Sequence, residues 1–385
     1  MKILVFTPEY PNEYNVQADI FVHEQCKELQ KRGHEIHVLD PSVVVPSRWR
    51  LRETKQITPR EWDGIPVYSY YTKGIATTKL LTINQYLYKI HAKELFDYYC
   101  KRNGKPDVIY AHFASRAGVS ACEIGENHGI PVVVIEHGGA VMNKKHSDFL
   151  RRTLKYTFNH ATSFICVSNE QKKCVEKYIG LESNIVVIPN MVNERYHYCP
   201  RVQKKGFVFF SAGNLYKVKR MDYLVQAFAE AFRGNEEVEL RIAGDGGERP
   251  MLEALIDRLN LTSQVKLLGR LNQDNIVQQY INCDAFALAS AHESFGIAYR
   301  EAMSIGRPVI ATDNGGIREG WNDFLGTIVP IDDEKRLGDA FRTVYSNYSD
   351  YNLKKISEYS RSLTSPNVVI NSVEEILKKA VLRRK

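Results

Sequence analysis

Short apolar runs alternate with stretches of helical periodicity along most of the chain. Runs of consecutive apolar residues are typical of strands whose two faces are both covered, as in parallel sheets. The pattern predicts an α/β fold with helices between the strands. The predicted strands are Ile3–Phe6, Glu35–Leu39, Val108–Ala111, Val132–Ile135, Phe164–Val167, Ile185–Ile188, Phe207–Ala212, Glu239–Ala243, Val265–Leu268, Ala285–Leu288, Pro308–Ala311 and Thr327–Val329.

The intervening stretches have the spacing of amphipathic helices. Val22, Cys26 and Leu29 recur at i, i+4 and i+7, and Gly33 follows where a helix end favours a left-handed residue. A further helix is predicted at 368–381, beyond the last strand.

The alternation breaks once, at Pro189-Asn190 and the polar stretch 193–206, before it resumes at Phe207. The sequence therefore predicts two Rossmann-like, doubly wound domains, residues 1–195 and 196–365, with a terminal helix at 366–385 that could pack back on the first. The length of 385 residues agrees with two domains. Parallel sheets bind ligands outside the carboxyl ends of their strands, so we expect the active site in a cleft between the domains.

Composition and charge narrow the class of protein. No apolar run approaches the ~18 residues that span a bilayer and no signal-peptide pattern opens the chain, which predicts a cytoplasmic location. The seven cysteines are odd in number and unclustered, which argues against a disulfide framework or a zinc site.

The net charge of +7 is concentrated in the first domain. Two basic groups could attract the inner membrane face or a lipid-linked pyrophosphate, and a solvated basic face is the alternative explanation. They lack interleaved aromatic residues, so nucleic acid is not an expected partner. The groups are Arg48, Arg50, Arg52, Lys55 and Arg60, and Lys144, Lys145, Arg151, Arg152 and Lys155.

Residues 292–302 carry the most informative pattern. Glu293 lies just before a predicted helix and Glu301 eight residues later, about 12 Å along an axis rising 1.5 Å per residue. The amides of residues 294–297 would open the helix, where unpaired N–H groups attract anions. A nucleotide sugar, with hydroxyls at both ends and phosphate between, would fit this arrangement. Two solvated helix charges would give the same spacing.

Two other loops follow strands of the second domain. Residues 211–221 offer Lys217, Lys219 and Arg220 to a diphosphate at the start of a helix near Met221, or form a basic turn on the surface. Residues 241–249 are similar to a dinucleotide-binding fingerprint, but Arg249 replaces its third glycine, which favours a tight strand-to-helix turn.

Two histidines end strands of the first domain. His137 follows the run at 132–135, and His112 follows the run at 108–111. Each either faces the expected cleft or is a structural histidine with satisfied hydrogen bonds. No histidine has the grouping of a metal ligand, so we predict no metal site.

Taken together, these segments resemble glycosyltransferase family 4, the retaining nucleotide-sugar enzymes with the GT-B fold. The likeness extends over nearly the whole chain. Glu293 and Glu301 match the family's Glu-x7-Glu motif, and residues 213–219 match its Gly-Arg-Leu-x3-Lys motif. The matching segments Pro189-Asn190, Gly244-Asp245-Gly246 and Gly315-Gly316 fall in order.

The resemblance implies roles for individual residues. Glu301 would hold the ribose hydroxyls, Glu293 the hydroxyls of the transferred sugar and Lys219 the diphosphate, with His137 beside the donor sugar. The catalytic residues would be His137, Glu293 and Lys219. Further donor contacts are expected from Asn214, Gly244, Arg270, Leu271, Ser294, Phe295, Gly296 and Ile297, and acceptor contacts from Gln17, His112, Asn143 and Lys144.

The sequence departs from the family pattern in the first and second domains. Asn214 replaces the arginine that accompanies Lys219, and either Lys217 or Arg220 could substitute for it. Arg220 also stands where the family has a glycine. Residues 15–19 replace the usual glycine pair near the first strand.

The expected activity is transfer of a sugar from a nucleoside-diphosphate donor to a hydroxyl of a glycan or lipid-linked glycan. The resemblance implies UDP as the nucleotide, because UDP-sugars are common donors in the family. We expect no cofactor, because the nucleotide sugar is a co-substrate. A sugar-nucleotide epimerase, a glycosyl phosphorylase or a non-catalytic sugar-binding protein could use the same two-domain architecture.

Overall fold

The computed structural model describes residues 1–44, 56–73, 81–142, 148–180 and 185–383. The chain forms two compact units, one of residues 1–191 and 366–385 and one of residues 192–365. The sequence placed the first boundary at 195/196. The structure places it four residues earlier and groups the terminal helix with the first unit.

The first unit is built on a sheet with the order β10-β9-β8-β7-β1-β2-β5-β4. All neighbours are parallel except the β4–β5 hairpin, and β3 and β6 form a separate small pair. The strands are β1 (Lys2–Phe6), β2 (Glu35–Asp40), β3 (Val43–Val44), β4 (Thr58–Trp62), β5 (Ile65–Ser69), β6 (Thr72–Lys73), β7 (Val108–His112), β8 (Val132–Glu136), β9 (Ser163–Cys166) and β10 (Val186–Val187). The helices are α1 (Ile20–Lys31), α2 (Leu81–Asn103), α3 (Val119–His128), α4 (Asp148–His160), α5 (Asn169–Ile179) and α12 (Pro366–Leu382).

The second unit has a six-stranded, all-parallel sheet with the order β13-β12-β11-β14-β15-β16. Its core contains a cluster of aromatic rings around Phe209, Phe228 and Phe341. The strands are β11 (Phe207–Ala212), β12 (Val238–Ala243), β13 (Val265–Gly269), β14 (Ala285–Leu288), β15 (Val309–Thr312) and β16 (Gly326–Val329). The helices are α6 (Met221–Phe232), α7 (Arg249–Arg258), α8 (Gln273–Asn282), α9 (Ile297–Ile305), α10 (Glu334–Ser346) and α11 (Leu353–Thr364).

The predicted fold class is confirmed, and most strand limits agree within one or two residues. Strand β9 ends one residue early because the Val167 amide donates to the Gln171 side chain instead of extending the ladder. Strands β3 to β6 were not predicted from the sequence. Residues 58–62 form an exposed edge strand without apolar alternation, so their pattern gives no strand signal.

The terminal helix α12 packs against α1, β7 and β8 of the first unit. Glu374 is the polar centre of this contact. It accepts hydrogen bonds from Lys378 (2.6 Å), Arg32 (3.1 Å) and His34 (3.0 Å). These bonds, that of Lys378 first, lower the pKa of the Glu374 carboxyl to about 2, against the effect of its burial.

We expect Glu374→Gln to lower the free energy of unfolding by about 1–2 kcal/mol at pH 7. Because the folded pKa lies below the ordinary value of 4.5, the charge stabilises the protein above pH 4.5. That contribution is lost as the pH falls towards about 2. Urea titrations at several pH values measure both effects. Glu375→Gln is the control, since its pair with Lys379 is exposed to solvent and should contribute little to stability. Equal losses for the two variants would contradict the assignment.

Candidate functional site

The second sheet reverses its strand order between β11 and β14. Helices therefore leave these two neighbouring strands towards opposite sides, and a crevice opens at their carboxyl ends. The loops that enclose this crevice are residues 213–220 after β11 and residues 289–296 after β14. They contain two of the segments that the sequence analysis selected.

Lys219 and Glu293 meet in this crevice. The ammonium Nζ of Lys219 lies 2.6 Å from Oε1 of Glu293. The two side chains are 23% and 13% exposed, so the ion pair is accessible from solvent but partly desolvated. A short three-residue helical turn, residues 217–219, positions Lys219. The crevice thus holds a cation and a carboxylate within reach of one ligand.

The glycine pair Gly315-Gly316 holds the backbone of Glu293. The Glu293 amide donates to Asn314 O (3.2 Å), and the Gly316 amide donates to Glu293 O (3.1 Å). A Cβ atom on Gly316 would lie 2.7 Å from both Glu293 O and Phe295 N. Only glycine permits this approach, which explains the motif physically.

Helix α9 begins at Ile297, after Gly296 with φ 77°. A Cβ on Gly296 would also lie 2.5 Å from the ring of Tyr299. Gly296 occupies the N-cap position and has no side chain to cap the helix, and the first N–H groups of a helix are suited to binding an anion. The 12 Å separation predicted for Glu293 and Glu301 assumed helix geometry throughout. That assumption is wrong, because the half of the spacing from 293 to 297 precedes the helix.

Glu301 lies on α9, and its Oε2 accepts a hydrogen bond of 2.8 Å from the hydroxyl of Tyr280 on α8. The Tyr280 ring is fully buried, and its hydroxyl also lies 3.2 Å from Ala298 O. Burial raises the pKa of the Tyr280 hydroxyl, and the Glu301 charge raises it further. Tyr280 remains a proton donor at neutral pH and fixes the carboxylate. The sequence analysis missed it because a tyrosine in a helical stretch is indistinguishable from a core aromatic.

Arg300 is a second residue that the sequence analysis missed. It is 2% exposed and donates to the backbone oxygens of Ile317 (3.1 Å) and Glu319. Burial lowers its pKa to about 10, so it stays charged at neutral pH. Through these bonds Arg300 fixes the loop whose glycines support Glu293.

The neighbouring basic residues differ in their availability. Asn214 and Lys217 are exposed. The Arg220 guanidinium pairs with Asp332 and lies 3.7 Å from the centre of the Tyr223 ring. These contacts direct Arg220 away from the substitute role suggested by the sequence, and leave Lys217 as the exposed cation of this loop.

Three loops at the carboxyl end of the second sheet are joined by backbone hydrogen bonds. The Leu215 amide donates to Asp245 O (3.0 Å), and the Gly244 amide donates to Gly269 O (2.8 Å). A Cβ on Gly244 would lie 1.9 Å from Gly213 O, so this loop requires glycine. The structure therefore brings Gly244 and the segment Arg270-Leu271 to the same end of the sheet as Lys219.

In the first unit, His137 and His112 form part of a hydrogen-bonded chain. His137 Nδ1 lies 2.8 Å from Asn190 Oδ1, and its Nε2 lies 3.0 Å from His112 Nδ1. Burial lowers the pKa of His137 to about 4, and burial followed by the neighbouring imidazole lowers the pKa of His112. Both rings are neutral at pH 7. Both nitrogens of His137 are engaged, so it does not present a free base.

Glu136 organises the turn beside this chain. Its buried carboxylate accepts from the amides of Ala114 (2.8 Å) and Gly138 (2.5 Å). Burial raises the pKa of Glu136 to about 7 despite these bonds. The residue links the loops that follow β7 and β8 and so fixes the position of His137.

The remaining candidate residues of the first unit differ in their exposure and in their partners. Gln17 is half-buried in the loop after β1. Arg60 is unavailable to a membrane or an acceptor, because it pairs with buried Asp40 at 3.1 Å and donates to Pro11 O at 2.7 Å. On α4 the exposed Arg151 pairs with Asp148. Asn143, Lys144, Lys145, Arg48, Arg50, Arg52 and Lys55 lie outside the described residues.

Across the described ranges, no three His, Cys, Asp or Glu side chains are grouped to hold a metal ion. None of the described helices has both the length and the apolar character needed to cross a bilayer.

Two solved structures share the fold of this chain over nearly its full length. Sucrose-phosphate synthase from Thermosynechococcus elongatus superposes with a TM-score of 0.80 at 16% identity, covering 99% of each chain. HepE of Anabaena, solved in complex with UDP, gives a TM-score of 0.75 at 20% identity, covering 98% of this chain and all of that one. At these identities the likeness establishes the fold.

Sequence models assign the family. The model of glycosyl transferases group 1 matches residues 194–363, and that of glycosyltransferase family 4 matches residues 18–196. The chain belongs to the GT-B glycosyltransferases of the family 4 type. The predicted resemblance is thereby confirmed.

Individual relatives share about a quarter of the aligned residues. The GtfA subunit of UDP-N-acetylglucosamine–peptide N-acetylglucosaminyltransferase from Streptococcus parasanguinis is 27% identical over 67% of this chain and 53% of its own length. N-acetyl-alpha-D-glucosaminyl L-malate synthase from Bacillus anthracis is 25% identical over 77% of this chain and 75% of its own. The chain thus spans about half the length of the first relative.

Proposed function

We propose that the protein transfers one sugar from a nucleoside-diphosphate donor, with UDP as the nucleotide, to a hydroxyl of a glycan or lipid-linked glycan, with retention of the anomeric configuration. The observation that carries the proposal is the Lys219–Glu293 pair at the β11–β14 crevice, next to the start of α9, where Gly296 is the N-cap. The UDP bound by HepE and the UDP-sugar in the name of the GtfA relative support the choice of nucleotide.

In the proposed reaction, the bond between the anomeric carbon and the β-phosphate oxygen breaks, and the acceptor oxygen bonds to that carbon. The acceptor proton passes to an oxygen of the departing phosphate. Negative charge grows on the diphosphate as it leaves, and Lys219 and the α9 amides would stabilise it. Glu293 is paired to Lys219 at 2.6 Å, which weakens it as a nucleophile and suits it to binding sugar hydroxyls.

The first unit is proposed to bind the acceptor near its strand ends. Association with an anionic membrane surface is part of the proposal, carried by the exposed Arg151, Arg152 and Lys155 on α4. A location at the inner face of the membrane would follow. Binding to anionic vesicles should fade with salt.

Thermal-shift measurements with UDP-, GDP- and ADP-sugars test the donor proposal, since a ligand of the folded state raises Tm. The expected result is a shift with UDP-sugars, together with product formation only when an acceptor is supplied. Product without an acceptor would indicate an epimerase instead. No shift with any nucleotide would overturn the proposal.

Tyr280→Phe tests the positioning of Glu301. Loss of one hydrogen bond to the carboxylate, worth about 1 kcal/mol, should weaken UDP binding about threefold to tenfold while kcat changes little. Calorimetry with UDP and steady-state kinetics separate the two quantities. Tyr345→Phe is the control, because its ring packs on Phe207 and Phe232. Unchanged UDP affinity in Tyr280→Phe would remove this role.

A further inference from the structure

The first sheet has its own reversal of strand order, between β1 and β7. Strands β2 and β5 continue to one side of β1, and strands β8, β9 and β10 continue beyond β7 to the other. A crevice therefore opens at the carboxyl ends of β1 and β7, as it does between β11 and β14 in the second sheet. The loop after β7 places Arg116 at this crevice.

The backbone around Arg116 is held firmly. The turn of residues 114–118 begins after Phe113, which has a left-handed φ of 70°. Thr157 Oγ1 donates to Ala114 O (2.7 Å), and the Gly118 amide donates to Phe113 O (2.9 Å). Gln85 Nε2 donates to Arg116 O at 3.3 Å. The backbone position of Arg116 is thus set before any ligand binds.

The Arg116 guanidinium, by contrast, has no partner in the part of the chain that the structure describes. It is half-buried, and among the described residues it makes neither an ion pair nor a side-chain hydrogen bond. Burial lowers the pKa of this guanidinium, although it remains charged at neutral pH. Desolvating a cation without a partner is costly, and proteins ordinarily pair such groups.

Nearby acidic groups do not supply the missing charge. The Tyr88 hydroxyl donates a hydrogen bond of 2.9 Å to Thr7 O. Burial raises the pKa of this hydroxyl, the charges of Asp40 and Asp19 raise it further, and the charge of Arg116 lowers it. All three charged groups therefore lie near the Tyr88 hydroxyl. Burial raises the pKa of Asp19 to about 7, so it carries only part of a charge at neutral pH.

Asp40 is committed elsewhere. Its fully buried carboxylate pairs with Arg60 at 3.1 Å and accepts from Ser42, Ser69 and Tyr71. Arg116 is therefore a cation of this crevice whose counter-charge is not provided by these neighbouring carboxylates.

We propose that Arg116 binds an oxyanion, phosphate or carboxylate, on the acceptor at the β1–β7 crevice. The inference rests on the proposed function, because it assigns this unit to the acceptor. A guanidinium offers two parallel N–H donors that match either oxyanion. The enzyme would then select acceptors with a negative group near the reacting hydroxyl.

Thermal shift and calorimetry on the full chain test this proposal. Saturating UDP is added first to occupy the donor crevice, and inorganic phosphate and L-malate are then titrated separately. Arg116→Gln removes the cation. Arg102→Gln, which removes an exposed arginine stacked on Tyr98 in the same unit, is the matched control. The relative response to phosphate and malate identifies which oxyanion the crevice prefers.

Without an anion, we expect Arg116→Gln to melt at or above the wild-type temperature, because an unpaired, half-buried cation is lost. Phosphate or malate should raise Tm in the wild type and in Arg102→Gln, whereas Arg116→Gln should bind about tenfold to hundredfold more weakly. A lowered Tm with unchanged anion affinity would show a structural role and overturn the proposal. Absence of any anion response in the wild type would also overturn it.

The UDP shift recorded before anion is added reports on the proposed function separately. If UDP fails to bind while Arg116→Gln still abolishes the anion response, the transferase proposal fails and the oxyanion site stands. If UDP binds and Arg116→Gln changes nothing, only the Arg116 assignment is lost.

Discussion

Replacing Lys219 with alanine is expected to lower kcat/KM for sugar transfer by about two to three orders of magnitude. The ammonium lies in the β11–β14 crevice, 2.6 Å from Glu293, where the proposed leaving diphosphate gains charge. The variant would lose this cation and leave a partly buried carboxylate without its partner. Initial rates with a UDP-sugar and an acceptor measure the effect, which should fall mainly on kcat.

The control for Lys219→Ala is Lys335→Ala, an exposed lysine on α10 of the same unit, which should keep wild-type rates. Lys219→Ala combined with Glu293→Ala should lose less than the sum of the two single effects, because the residues act as a pair. Wild-type kcat/KM in Lys219→Ala would remove the residue from the mechanism.

Replacing Glu301 with glutamine is expected to raise the Kd of UDP about tenfold to hundredfold. A carboxylate can accept charge-assisted hydrogen bonds from both ribose hydroxyls, whereas the amide accepts through one oxygen only. Calorimetric titration with UDP measures the change. Glutamine preserves the size of the side chain and the contact with Tyr280, so the packing of α9 should persist.

Glu334→Gln, in the first turn of α10, is the matched control for Glu301→Gln and should leave UDP affinity unchanged. Titrations with uracil and with uridine show which part of UDP accounts for the lost affinity. Only ligands that carry ribose should bind more weakly to Glu301→Gln than to the wild type. An unaltered Kd for UDP in Glu301→Gln would show that the ribose is held elsewhere.

The sequence predicts the fold well where strands are buried on both faces. Residues 132–136 and 207–212 are buried throughout, and their continuous apolar character reflects that environment. The edge hairpin was missed because its first strand is largely exposed. The sequence did contain one signal for this hairpin, the pair Asp63-Gly64, because Asp-Gly favours two-residue hairpin turns. In the structure these residues have the positive φ values of such a turn, 47° and 73°.

The candidate site was predicted only in part for a topological reason. Lys219 follows β11 and Glu293 follows β14, and strands β12 and β13 lie between β11 and β14 in the chain. Their contact arises because β11 and β14 are neighbours in the sheet, an order that the sequence pattern does not reveal. Tyr280 and Arg300 act through side chains that are buried inside the unit. In the sequence they are therefore indistinguishable from ordinary helix residues. Arg220 was considered, with Lys217, as a substitute for the arginine that Asn214 replaces, and its pairing with Asp332 depends on tertiary structure.

The central claim is that a nucleotide sugar lies across the β11–β14 crevice. A crystal structure of the full chain with UDP tests it most directly. The account predicts the diphosphate within hydrogen-bonding distance of Lys219 Nζ and the first amides of α9, with the ribose hydroxyls on Glu301. Well-defined UDP bound away from this crevice, with Lys219 still paired to Glu293, would contradict it.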